Sequence, residues 1–124
     1  MSVLLVLAAA TAPAPPPSPE VAREIVVIGQ KLKSWKGGVS KVGGRMICKT
    51  SKTSGDRRID AIRCGAMLTC TRPLESRIDA LMASDRSRAE KKRAFDALLQ
   101  GAVPCLNEQE QTGIARLAEE RAQS

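Results

Sequence analysis

The chain contains no histidine and no tyrosine, and its aromatic residues are Trp35 and Phe95 alone. Without histidine the commonest general base near neutral pH is missing, and with it the Ser-His and Cys-His arrangements of nucleophilic catalysis. Two aromatics offer no platform for stacking bases, which argues against a single-strand nucleic-acid binder although the pI is about 9.7. No apolar run reaches the length of a membrane span; the longest, from Val3 to Ala10, is far too short. No Cys-x-x-Cys is present, which speaks against a thioredoxin-like redox centre. No charged residue precedes Glu20.

What is present begins with that uncharged N-terminus. The run Val3 to Ala10 has the length of a signal-peptide core and is followed by the small-residue pattern Ala10-Thr11-Ala12. Residues 1–12 are therefore expected to be a signal peptide, residues 13–23 a stiff Pro-rich linker, and residues 24–124 one small domain. Export to the periplasm or beyond agrees with the four cysteines, Cys48, Cys64, Cys70 and Cys105. A domain of this size buries too little apolar surface to be secure without staples, and an oxidising compartment supplies disulfides.

Ile25-Val26-Val27-Ile28 is β-branched throughout and predicts a first strand with both faces covered. Gly37-Gly38 then predicts a hairpin turn that sets Val27 opposite Cys48, while Gly43-Gly44 competes for the turn or makes a bulge. Beyond Lys52 the apolar period becomes helical. Thr53 with Asp56 predicts the start of a helix carrying Ile59, Ile62, Ala66 and Cys70, which ends at Thr71-Arg72-Pro73. Leu74, Ile78, Leu81 and Met82 mark a second helix. Ser87 with Glu90 opens a third that stops at Gly101, and Asn107 with Glu110 opens a fourth weakened by Gly113. The expected fold is α+β: an N-terminal β-hairpin packed against about four short helices and closed by two disulfides.

Four cysteines allow three pairings. If 56–70 is one helix, Cys64 and Cys70 lie about 9 Å apart along its axis, too far for a disulfide. A strand running back from Gly55 to Cys48 covers about 20 Å, a length that the helix matches only by Cys70. This favours Cys48 with Cys70 and, by elimination, Cys64 with Cys105; Cys48–Cys64 with Cys70–Cys105 stands close behind. A tetrathiolate zinc site would place its ligands in closer pairs, so no metal and no cofactor is expected.

Formal charge is +7 and uneven. From Arg23 to Arg58 ten basic residues face two acids, Glu24 and Asp56, whereas beyond Arg58 the two signs balance. Lys31, Lys33, Lys36, Lys41 and Arg45 are the candidate anion-binding residues, directed at envelope polymers, lipid headgroups or an acidic protein. The carboxylate pairs Asp56/Asp60 and Glu75/Asp79 stand at helical i, i+4 spacing among arginines, as on a solvated ion-pair face. A non-enzymatic binding or structural factor is the expectation.

Two resemblances add to this. Glu24-Ile25-Val26-Val27-Ile28-Gly29, after a Pro-rich exported N-terminus, resembles the TonB box of outer-membrane transporters. That likeness implies partner binding by strand addition through residues 24–29. The run Glu24 to Trp35, Gly55-Asp56-Arg57-Arg58-Ile59-Asp60-Ala61-Ile62, and the span Cys64 to Cys70 together look like small exported four-cysteine proteins of Gram-negative bacteria. This second likeness implies a compartment but no activity.

Overall fold

Ser18 caps the first helix: its Oγ accepts from the amide of Val21 at 3.3 Å, and Pro19 follows at the first helical position. A capped start with proline next is the local chemistry of a helix N-terminus. The helix, α1, spans Pro19–Leu32 in a computed structural model that describes residues 15–124. The expected signal peptide thus lies outside the described residues.

α1 corrects the expectation of a first strand at Ile25–Ile28. Val21, Ile25, Ile28 and Leu32 recur at helical spacing and face the core, with Ile28 fully buried, whereas Val26 and Val27 are 58% and 44% exposed. β-branched residues disfavour a helix by only tenths of a kcal/mol each, about 0.5. Burial of the stripe, at about 25 cal/mol per Å² of apolar area, outweighs that preference. With residues 24–29 inside a helix, their amides are not offered to a partner's sheet edge, and strand addition through them is set aside.

The hairpin follows α1. β1, Lys36–Val42, pairs antiparallel with β2, Arg45–Lys52, in a two-stranded sheet. The turn is Gly43-Gly44, not Gly37-Gly38, and both residues have positive φ, 57° and 76°. Two left-handed residues in succession match the twist of the strands they join, and glycine adopts them without strain. Val39 consequently takes the place opposite Cys48 that the sequence had assigned to Val27. Gly37 sits instead at a bulge near the open end of the hairpin, pressed against the indole of Trp35; a Cβ there would meet the ring at about 2.5 Å.

α2, Arg57–Thr71, is capped by Asp56, whose Oδ1 accepts from the amides of Arg58 and Ile59 at 2.9 and 3.3 Å. Thr53, expected to share a capping box, bonds instead to the carboxylate of Asp60 and to the amide of Gly55. A short 3₁₀ turn at Arg72–Leu74 leads to α3, Glu75–Ala83; α4 spans Arg88–Gly101 and α5 spans Val103–Ala122. The start of α4 is as expected, since Ser87 Oγ accepts from the Glu90 amide at 3.2 Å. The start of α5 is earlier than the expected Asn107, because Pro104 fits the first turn.

The core lies where α1, α2 and α5 meet: Ile28, Leu32, Ile59, Leu117 and Ala118, flanked by Val21, Ile25, Ile62 and Ile114. Gly113 has a packing reason, since a Cβ there would stand 2.9 Å from Ile62 Cγ2. The helix tolerates the residue that weakens it because α5 approaches α2 at that point.

Two disulfides close the fold, paired Cys48–Cys64 and Cys70–Cys105. This corrects the favoured pairing. β2 ends at Lys52 and residues 53–56 curl, with Gly55 at φ 87°, so the strand from Cys48 extends only about 13 Å before the chain turns. Arg57 to Cys64 returns about 10 Å along the helix axis, which brings Cys64 rather than Cys70 level with Cys48. The second bond joins the end of α2 to the start of α5, so that α3 and α4 form a helical excursion closed at its base.

Candidate functional site

Alternation along the hairpin separates two faces. Val39, Lys41, Met46, Cys48 and Thr50 face inward: Cys48 is bonded to α2, and Thr50 Oγ1 accepts from Trp35 Nε1 at 2.9 Å. Lys41 reaches α3, where its Nζ lies 2.7 Å from Asp79 Oδ1 and 3.2 Å from Glu75 Oε1. Gly38, Ser40, Val42, Arg45, Ile47 and Lys49 occupy the other face, and beyond the bulge Lys36 stands directly opposite Lys52.

That outer face carries only positive charge. Among the described residues, Lys36, Arg45, Lys49 and Lys52 have no carboxylate within ion-pair distance. Lys36 opposite Lys52 is a like-charge cross-strand pair, which destabilises a hairpin by a few tenths of a kcal/mol to about 1. Apolar surface accompanies the charge: Val42 beside the turn is 53% exposed and Ile47 is half-buried. The combination is a narrow ribbon of cations around an apolar centre, held to the body by Cys48–Cys64 and by Lys41.

Of the five candidate residues, Lys36 and Arg45 stand on this ribbon. Lys31 and Lys33 are exposed at the end of α1, before the hairpin. Lys41 is on the opposite face, neutralised by Glu75 and Asp79; the Asp79 hydrogen bond raises its pKa above 10.5, with desolvation opposing and Glu75 adding to the rise. Lys49 and Lys52 were missed as site residues. Period-two counting outward from Gly43-Gly44 puts Lys49 on the face of Arg45, so the signal was present but depended on choosing the right turn.

The carboxylate pairs have structural partners. Asp56 caps α2 and its Oδ2 lies 2.5 Å from Arg121 Nη2. Desolvation would raise its pKa, but the Arg121 hydrogen bond, the amides of Ile59 and Arg58, and the Arg121 charge outweigh it and hold the carboxyl below 3.8. Asp60 is also held low, first by the Ser54 hydroxyl and then by Thr53, with the Ser54 amide adding to both against some desolvation. All four cysteines are in disulfides, so no thiolate is left to hold a metal. No helix among the described residues is long and apolar enough to cross a membrane.

Compared with protein-family profiles, with characterised proteins and with solved structures, the chain matches none.

Proposed function

We propose that the chain is a small exported, periplasmic, non-enzymatic binding protein whose hairpin docks on anionic lipid headgroups of the cell envelope. The observation that carries this reading is the opposed pair Lys36 and Lys52 on a face with Lys49 and Arg45 and no carboxylate. An anion between two unpartnered ammonium groups relieves their repulsion, and phosphate oxygens accept from several such donors at once. Exposed Val42 at the tip suits the boundary between headgroups and acyl chains better than a polar polymer. The two disulfides fit a protein that works in an oxidising compartment. The ribbon has no aromatic side chain on which a base could stack, which supports lipid over nucleic acid.

The test is co-sedimentation of the oxidised protein with vesicles of phosphatidylglycerol and of phosphatidylcholine. Each lysine near an anionic surface contributes about 1 kcal/mol. Replacing Lys36, Lys49 and Lys52 by Gln together should weaken phosphatidylglycerol binding about a hundredfold, and raised salt should do the same to the parent protein. Equal retention of parent and triple variant, or equal binding to both vesicle types, refutes the reading.

A further inference from the structure

α4 is unusual among the helices of this chain. It is fourteen residues long, yet none of its side chains is buried; Ala94, Phe95, Leu98 and Leu99 are only half-covered. A helix with an apolar stripe is stabilised by covering that stripe, and α3 is too short to cover it. The uncovered part forms one wall of a groove of about 540 Å³, to which α4 contributes Ala94, Ala97 and Leu98 and α3 contributes Ala80 and Leu81. A second hollow of about 370 Å³ continues it past Pro73 and Leu74 to the Cys70–Cys105 disulfide, sharing Arg77, Ala97 and Leu98 with the first. Together they make an elongated apolar trough within the size range of small-molecule sites.

The polar groups of the trough are of one sign. Arg77 and Arg86 line it, with Ser84 between them in the chain, and no carboxylate does. Among the described residues neither arginine is within ion-pair distance of an acid, and Glu75 and Asp79, two residues to either side of Arg77 on α3, are both engaged by Lys41. A guanidinium presents a planar fork of donors that fits a carboxylate bidentately. A long apolar floor with unpaired guanidinium groups at its edge is complementary to a molecule with one flexible hydrocarbon chain and one anionic end.

We infer that the α3–α4 trough is a binding site for a single-chain carboxylate amphiphile of the fatty-acid class, with the hydrocarbon along Leu81, Ala97 and Leu98 and the carboxylate on Arg77 or Arg86. Each methylene removed from water strengthens binding about fourfold, so the chain supplies the affinity and the arginines fix the direction. The site uses no residue of the hairpin and does not rest on the headgroup reading.

Titration of the full oxidised protein with dodecanoate below its micelle concentration, followed by amide chemical shifts, tests it. Dodecanoate should perturb amides within residues 77–86 and 94–102, dodecanol should bind about tenfold more weakly, and acetate should leave the spectrum unchanged. Changing Arg77→Gln together with Arg86→Gln should weaken dodecanoate about tenfold and leave dodecanol as it was. Ala97→Trp should fill the trough and abolish both. The arginine pair is exposed, so that variant reports even if the tryptophan variant fails to fold. The Gln variant of Lys36, Lys49 and Lys52 should bind dodecanoate like the parent, which separates this site from the hairpin. Equal affinity for dodecanoate and dodecanol, shifts confined to the hairpin, no shift at all, or a concentration-dependent dimer that covers α4 would each overturn the inference.

Discussion

Arg63 stands over the indole of Trp35, its guanidinium carbon 5.7 Å from the ring centroid. This stack joins four elements. Trp35, only 6% exposed, follows α1 and donates from Nε1 to Thr50 of β2. Arg63 comes from α2, its Nη1 lies 2.5 Å from Glu110 Oε1 of α5, and its Nη2 donates at 3.4 Å to the carbonyl of Leu32 at the end of α1. The hairpin, which has no second sheet to pack on among the described residues, is seated on the helical body here and through Cys48–Cys64.

Trp35→Ala should therefore destabilise the fold by about 3–5 kcal/mol, the range for removing a buried large aromatic. Trp35→Phe, which keeps most of the packing but loses the bond to Thr50, should cost about 1 kcal/mol. Arg63→Lys keeps the charge yet loses the planar stack and the simultaneous bonds to Glu110 and the Leu32 carbonyl, for a cost of about 1 kcal/mol. Urea unfolding read by circular dichroism measures all three, since Trp35 is the only tryptophan. A tryptophan-to-alanine cost below that of Trp35→Phe would contradict the seating role.

The two disulfides should differ in what they hold. Their sequence separations of 16 and 35 residues imply about 3 and about 4 kcal/mol of loop-closure stabilisation. Replacing Cys48 and Cys64 by Ser should chiefly release the hairpin, because a two-stranded sheet is marginal alone. Amide exchange should then rise across residues 36–52 while α1, α2 and α5 stay protected. Replacing Cys70 and Cys105 should instead free α3 and α4 and lower the midpoint of unfolding further. The same exchange pattern in both variants would show that the fold is a single unit without this division.

Asp56 and Asp60 should set the acid limit of the fold. Both are held below 3.8 in the folded state, so their contribution to stability is complete above that value and disappears as pH falls through the lower folded values. Lys41 acts in the other direction: its raised pKa means that its contribution is complete below 10.5 and is lost as pH rises beyond it. Denaturation midpoints across pH should show a steep acid limb in the parent protein and a shallower one in Asp56→Asn. Parallel acid limbs would show that capping and the Arg121 pair do not control acid stability.

Much of the architecture was readable locally. Ser87 with Glu90 and the stop at Gly101 define α4 within one stretch of chain, and Ile59, Ile62 and Ala66 give α2 its period, because caps and periodicity are properties of neighbouring residues. The errors in the hairpin share one origin. Reading Ile25–Ile28 as a strand moved the hairpin turn to Gly37-Gly38, carried the register with it, and removed Lys49 and Lys52 from the site. Either glycine pair satisfies a two-residue turn, and the choice depends on where the preceding element ends. The disulfide pairing failed for a similar reason, since it rested on a strand three residues longer than the one that forms.

The amino-acid sequence alone determined the α+β composition, the presence of two disulfides and the concentration of positive charge before Ile59, since these follow from residue types, their count and their short-range spacing. The tertiary structure decided that Val21, Ile25, Ile28 and Leu32 belong to a helix, that Cys64 meets Cys48, and that Lys41 faces inward while Lys49 and Lys52 face out. Those outcomes depend on burial against α2 and α5 and on the path of residues 53–56. No window of neighbouring residues contains the surfaces that compete for them.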